Sequence, residues 1–297
     1  MKISVLGAGQ LGSWLYKTLS EDGFDVVQLT REDGDFTDSS FIEKIVKSSD
    51  TIVNCIAYTD VDKAETEPLK ASSANLSIPS IIASQLIFAN KKFIHISTEY
   101  VYGSMDLSYA PLTEDCPMAP QNVYASTKAG ADTFITTMIP VMLKSKLYVL
   151  RPSWLFGPRS SHNFFWKIRQ KLEKDGEARV VDDQVGSMTS VFLLSEVIEE
   201  LTRRDDIAPG VYNVANDGFA SRFDQASALA EEWPGLKDSK IIRCKTADFQ
   251  RKTEVPMNSC LDCTKIKKAL GISSFRSWRE DLKKYVEEEL RCQDQRQ

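Results

Sequence analysis

Tyr124 and Lys128 stand four residues apart in Tyr124-Ala125-Ser126-Thr127-Lys128, a spacing that puts a phenol and an ammonium on one face of a helix. A free tyrosine titrates near about 10 and a free lysine near about 10.4. An ammonium beside a phenol stabilises its phenolate, so Lys128 is expected to bring the Tyr124 proton within reach of a substrate oxygen nearer neutral pH. Many helices carry such a pair, and its meaning comes from its companions. Upstream, the run Phe93–Gly103 holds Ser97-Thr98-Glu99 at the end of a candidate strand. The Ser97 or the Thr98 hydroxyl would then sit at the carboxyl edge of a sheet, where open α/β folds bind ligands.

A second constellation opens the chain. Gly7-Ala8-Gly9-Gln10-Leu11-Gly12 follows the first apolar run and precedes the first helical period. That context makes it a dinucleotide loop: Gly7 for the tight turn, Gly9 for close approach of a pyrophosphate, Gly12 for packing of helix on strand. The helix N-terminus would offer free N–H groups to the phosphates. After the second run, Leu29-Thr30-Arg31-Glu32-Asp33 has no acidic residue at the strand tip, and Arg31 could pair with a 2′-phosphate. NADPH is therefore expected ahead of NADH.

These residues need a scaffold. Lys2–Leu6, Asp25–Thr30, Thr51–Ile56, Lys92–Ser97 and Leu147–Arg151 are candidate strands, several apolar throughout, as parallel strands buried on both faces should be. Helical periods lie between them: Leu11, Leu15 and Leu19; Asp38–Lys47; Asn75–Ala89; and about Asn122–Met142. The alternation predicts an α/β fold, a Rossmann-type doubly wound parallel sheet. Beyond Arg151 the rhythm loosens. Phe164–Leu172, Ser195–Arg203 and Ser277–Leu290 read as helices, Gly210–Ala215 and Lys240–Lys245 as strands, and Ser221 as the N-cap of a helix reaching Trp233. We expect a cofactor domain over residues 1–151. Residues 152–297 would form mainly a smaller substrate-binding lobe, with some elements returning to the main sheet.

Composition narrows the partners. With 37 Lys+Arg against 42 Asp+Glu in 297 residues, the net charge of −5 argues against a general nucleic-acid binder. No apolar run is long enough to span a membrane. Met1-Lys2 leads directly into a strand-like run rather than a leader, so a cytoplasmic protein with reduced cysteines is expected. Cys260 and Cys263 have metal-ligand spacing, but no second pair follows and His95 and His162 are distant in sequence. No metal site is expected.

Together these motifs resemble the extended short-chain dehydrogenase/reductases, and within them the dTDP-4-dehydrorhamnose reductase family. The resemblance covers nearly the whole chain. It includes Asp35–Asp38, Val53–Glu65, Ser97–Tyr102, Asn122-Val123-Tyr124 with Lys128, Arg151–Trp154 and Asn163-Phe164. In the C-terminal half it takes in Val181–Gln184, Gly186, Thr189 and Asn258–Asp262. The resemblance implies NAD(P)H-dependent reduction of the 4-keto group of a nucleotide-linked 4-keto-6-deoxy sugar. Tyr124 would be the proton donor, Lys128 would tune it and hold the nicotinamide ribose, and Thr98 would bond the reacting oxygen. It further implies cofactor contacts from Gly9, Gln10, Leu11, Asp35, Phe36, Ala57, Tyr58 and Thr59. Sugar contacts would come from Glu99, Trp154, Asn163 and Gln184.

This chain also departs from the family. Its glycine loop is one residue shorter, Glu99 stands where Asp is usual, Met188 replaces a Pro, and Val255 replaces an Arg just before Pro256. Arg251 or Lys252 is a neighbouring stand-in for that cation. Two other functions fit the same fold: a bifunctional sugar-nucleotide epimerase/reductase, with Cys116 as a conceivable extra group, and a non-catalytic cofactor-binding regulatory subunit like the beta subunit of methionine adenosyltransferase. A homodimer is left open.

Overall fold

A computed structural model describes residues 1–104, 110–141, 144–158, 163–249 and 253–294. His162, Arg251, Lys252 and the expected helix end at Met142 lie outside them. Six strands build the main sheet: β1 (Lys2–Leu6), β2 (Asp25–Leu29), β3 (Thr51–Asn54), β4 (Lys92–Ile96), β5 (Lys146–Pro152) and, from the second half, β10 (Gly210–Val214). All pairs are parallel, in the order β10-β5-β4-β3-β1-β2. The direction of winding reverses at β1, flanked by β2 and β3, and such a reversal opens a crevice at the strands' carboxyl ends.

The strands are apolar on both faces because both faces are covered. Ile3, Val5, Val53, Ile94, Tyr148 and Leu150 join one core with Leu11, Leu15 and Leu19 of α1 (Gln10–Glu21) and the buried face of α8 (Val191–Arg203). Leu6, Ile52, Phe93, Leu147 and Val149 join a second core with α2 (Ser39–Ser48), α5 (Ile78–Gln85) and α6 (Val123–Met138). Neighbouring residues of one strand thus feed opposite layers, which is what a doubly wound sheet requires.

Helices α7 (Phe164–Asp175) and α11 (Trp278–Asp294) run three and four residues past their predicted ends, and three other helices differ for reasons visible in the structure. The Asn75–Ala89 period belongs to a longer helical run in which α3 (Val61–Ala64) and α4 (Pro68–Ser72) precede a π-turn over Ser73–Ser77, and α5 stops at Gln85. The wide turn carries buried Asn75 into a side-chain network described below. Helix α6 ends at Met138 and passes into a 3₁₀ turn, Ile139–Val141, where Pro140 cannot continue the α pattern. Helix α8 starts at Val191 because the Ser190 side chain, rather than Ser195, caps it.

The remaining elements come from the chain after β5. They are β6 (Leu155–Phe156) paired with β9 (Thr189–Ser190), β7 (Glu177–Val181) paired with β12 (Lys240–Cys244), and a small sheet of β11 (Phe219–Ser221), β8 (Val185–Ser187) and β13 (Asn258–Ser259). The helices α7 (Phe164–Asp175), α9 (Arg222–Glu232), α10 (Thr264–Leu270) and α11 (Trp278–Asp294) complete the fold. Ser221 caps α9 reciprocally with Asp224, in the capping-box arrangement.

Candidate active site

A cleft of 440 Å³ is lined by Gly9, Gln10 and Leu11 on one side and by Thr98, Glu99, Tyr124, Lys128, Trp154 and Arg222 on the other. The glycine loop shapes its floor. Gly7 has φ +97°, open to glycine at no steric cost, and a Cβ on Gly12 would fall 2.2 Å from the Gly7 carbonyl oxygen. A Cβ on Gly9 would meet nothing within 4 Å, so the space above Gly9 is open. Gly9 is also the N-cap of α1 and supplies no side-chain acceptor to its first-turn N–H groups. An open cradle beneath an uncapped helix N-terminus fits a pyrophosphate. Gln10 Nε2 and Asn163 Nδ2 both donate to the Gly157 carbonyl at 2.9 Å, tying the loop to the segment after β6.

The other predicted cofactor residues are spread around this loop. Ala57 and Thr59 line the cleft. Tyr58 takes another course: its backbone is held by Asn75 while its hydroxyl donates to Glu67 at 2.7 Å. Arg31 is exposed just past β2. The Asp35 carboxylate accepts from the Thr37 amide and hydroxyl, and these bonds hold it below the usual carboxylate range. Phe36 is buried in the second core, edge-on to Phe41.

Helix α6 delivers the Tyr–Lys pair. Asn122 caps it by accepting from the Ala125 amide, and its Nδ2 donates to the Glu254 carbonyl, so the entry to the helix is held from both sides. Tyr124, Lys128 and Asp132 follow at i, i+4 and i+8, all buried. Lys128 Nζ donates to the Ile96 carbonyl at 2.5 Å. Burial lowers Lys128 to about 8, against the pull of Asp132. Thr98 Oγ1 donates to Glu99 Oε2 at 2.9 Å, and both residues line the cleft together with Tyr124.

One expectation is corrected here. Lys128 does not draw the Tyr124 proton toward neutrality in this structure; burial pushes the phenol well above its ordinary value. Thr98 opposes the rise, while Glu99, Tyr100 and Asp132 add to it. The physical reason is that spacing on a helix sets direction but not desolvation, and removal from water is the largest influence on this phenol. Ser97 and Thr98 both line the cleft, but Thr98 is bonded to Glu99 while the Ser97 hydroxyl is buried without a partner.

The side facing away from the glycine loop is built around Trp154 and Arg222. Trp154 has φ +42°, the one positive value at a non-glycine residue among the described residues. The Arg222 guanidinium lies 3.6 Å from the Trp154 ring centroid and 4.9 Å from that of Phe164. Arg222, Thr59 and Tyr100 also line a second cleft of 510 Å³ with Phe164, Lys167, Arg179, Gln184, Thr246 and Phe249. Gln184 lies in this second cleft, where its Nε2 donates to the Thr246 hydroxyl. Asn163 lines the first, while also capping α7 through the Trp166 amide. Burial lifts Glu99 to about 7 against the favourable field of Arg222.

The sequence reading missed three contributors. Asn75 donates to the Tyr58 carbonyl and the Thr127 hydroxyl, bracing α6 against the loop after β3. Arg151 pairs with buried Asp132 at 2.8 Å and donates to the Tyr102 hydroxyl, which donates in turn to Asn213. Only the i+8 spacing of Asp132 from Tyr124 was visible beforehand. Arg222 follows its N-cap without any local mark of a ligand role.

The family model for the RmlD substrate binding domain matches residues 1–291. The chain belongs to that family. It is 32% identical over 288 residues to a dTDP-4-dehydrorhamnose reductase of Mycolicibacterium smegmatis, covering 96% of this chain and 85% of that protein. A crystal structure of a dTDP-4-dehydrorhamnose reductase from Clostridium acetobutylicum superposes with a TM-score of 0.87 at 29% identity, covering 97% of this chain and 99% of that one. The Bacillus anthracis dTDP-4-dehydrorhamnose reductase, solved in complex with NADP, superposes with a TM-score of 0.85 at 27% identity and covers 97% and 99%. No helix among the described residues is long and apolar enough to cross a membrane.

Proposed function

We propose that this chain reduces the 4-keto group of a nucleotide-linked 4-keto-6-deoxy sugar with NADPH, or with NADH, as the names of its relatives describe for them. The observation that carries the reading is the meeting of Tyr124, Thr98, Lys128 and Glu99 in one cleft that opens from the Gly9 loop. Those names favour reduction over the epimerase/reductase and regulatory-subunit readings. The division at residue 151 belongs to the same proposal: residues 1–151 hold the cofactor and 152–297 mainly the sugar nucleotide.

When bound, the dinucleotide supplies the hydride. Gly7, Gly9, Gln10, Leu11 and Gly12 would hold its pyrophosphate, Ala57 to Thr59 its inner part, and Arg31, Asp35 and Phe36 its adenine end. Tyr124 then gives its proton to the carbonyl oxygen as that oxygen gains charge, and its high pKa keeps the phenol loaded across the neutral range. Thr98 orients the same oxygen. Lys128, anchored on the Ile96 carbonyl one helical turn from Tyr124, would favour the phenolate that proton transfer leaves. Glu99, Trp154 and Asn163 would bracket the sugar. The diphosphate and base extend past Arg222 into the second cleft, where Lys167, Arg179 and Gln184 line the wall between Phe164 and Phe249.

Tyr124→Phe tests the reading. NADPH oxidation with dTDP- or UDP-4-keto-6-deoxyglucose should fall by roughly 10²–10⁴ while NADPH affinity holds, because only the proton is removed. Undiminished turnover in that variant would show that another group donates the proton.

A further inference from the structure

We propose that Gln184 reads the nucleobase, favouring uracil or thymine over cytosine, a role that rests on the reductase reading above. The second cleft joins the first along Thr59, Tyr100 and Arg222, which line both. A sugar nucleotide with its keto group at Tyr124 therefore carries its base past these residues into the second cleft. There Phe164 and Phe249 offer aromatic faces, and Gln184 and Thr246 are uncharged polar groups. Gln184 lines this cleft and not the first, which sets it apart from the reacting oxygen.

The orientation of the Gln184 amide is fixed by its neighbours. The Asp183 carboxylate offers only lone pairs, and it accepts from the Thr246 amide at 2.9 Å and from the Thr246 hydroxyl at 2.8 Å. That commits the hydroxyl proton. Thr246 Oγ1 is left to accept, and Gln184 Nε2 donates to it at 2.9 Å. The carbonyl end of the amide must then point the other way. Oε1 has no donor among the described residues and is not one of the buried unpartnered oxygens, so it opens on the cleft. The segment is held along its length: the Asp182 amide donates to the Cys244 carbonyl at 3.1 Å, and the Gln184 carbonyl accepts from the Arg222 amide at 3.2 Å. A fixed amide oxygen accepts the ring N3–H of uracil or thymine. Cytosine sets a lone pair at that position, and two acceptors facing each other repel. Turning the amide to suit cytosine would break the Thr246 bond and set two lone pairs together there instead.

The experiment titrates the protein, saturated with NADP⁺, with dTDP, UDP and CDP by calorimetry. It also compares kcat/KM for the three corresponding 4-keto-6-deoxyglucose nucleotides. Wild type should bind dTDP and UDP at least about tenfold more tightly than CDP, and kcat/KM should follow the same order. Gln184→Leu should bring the three nucleotides within about threefold of one another, by weakening dTDP and UDP rather than CDP. Thr246→Val keeps Gln184 and the backbone bond to Asp183 but frees the amide to turn, so CDP should gain at least about threefold on UDP. A merely structural Gln184 would shift the thermal midpoint, or all three affinities together, and leave their ratio unchanged. Equal binding of the three bases by wild type, or a wild-type ratio retained in either variant, overturns the inference. Preference for dTDP and UDP without reduction of any keto-sugar would leave the base reader standing and sink the reductase reading. Reduction that treats all three bases alike would do the reverse.

Discussion

Replacing Arg151 with Met removes one half of a buried ion pair and leaves the other. The Asp132 and Arg151 side chains are 0% and 4% exposed, and their nitrogen-to-oxygen distance is 2.8 Å. Arg151 bonds Asp132 Oδ2 and Oδ1 has no hydrogen-bond partner, so loss of the guanidinium strands a carboxylate in the layer between α6 and β5. Breaking such a pair from one side costs about 3–5 kcal/mol, whereas exchanging both partners for apolar groups is often neutral. Arg151→Met should therefore lose about 3–5 kcal/mol of unfolding free energy in urea. The double variant Asp132→Leu/Arg151→Met should recover most of it, the Tyr102 hydroxyl keeping its bond to Asn213. The measurement is a pair of urea titrations with fluorescence and circular dichroism, which also show whether the transitions coincide. A single-variant loss below about 1 kcal/mol, or a double variant no better than the single one, would refute the idea that this pair matters through an uncompensated buried charge.

Other outcomes follow from the same geometry. Lys128 is charged below about 8 and neutral above it, so activity that depends on its ammonium should fade as pH rises through that value. Asp132→Asn removes the charge that supports the ammonium and should move that limb to lower pH in a kcat profile. Gly12→Ala must displace the Gly7 carbonyl or α1, and NADPH binding followed by fluorescence should weaken by about 10²-fold. Gly9→Ala, with open space around its new methyl, should keep the thermal midpoint while weakening the same binding; intact NADPH affinity would show that Gly9 is not the cradle. Asn75→Leu removes the brace between the Tyr58 loop and Thr127 and should lower kcat more than it raises KM.

Much of the scaffold was legible because its signals are local. An apolar run needs no partner to be recognised as a doubly covered strand: β1 to β4 fall within the predicted runs, and β5 extends its run by one residue at each end. The glycine loop was legible for a similar reason: turn, helix start and close packing are short-range requirements. Helix ends were less so. Ser195 and Ser190 offer the same capping chemistry, and only the packing of α8 selects Ser190. The π-turn at Asn75 depends on Tyr58 and Thr127, which are distant in sequence and adjacent in space.

The sequence by itself determined which groups can react and the order in which they come: a phenol and an ammonium on one helical face, hydroxyls at a strand end, glycines before a helix. Bond lengths, side-chain period and backbone sterics enforce those relations wherever the chain goes. Only the tertiary structure decided what surrounds them. It buried Tyr124 and turned the expected drop in its pKa into a rise, tied Thr98 to Glu99 while leaving the Ser97 hydroxyl without a partner, and brought Arg222 over Trp154. Desolvation and long-range charge depend on every layer packed around a group, and no local stretch of sequence contains them.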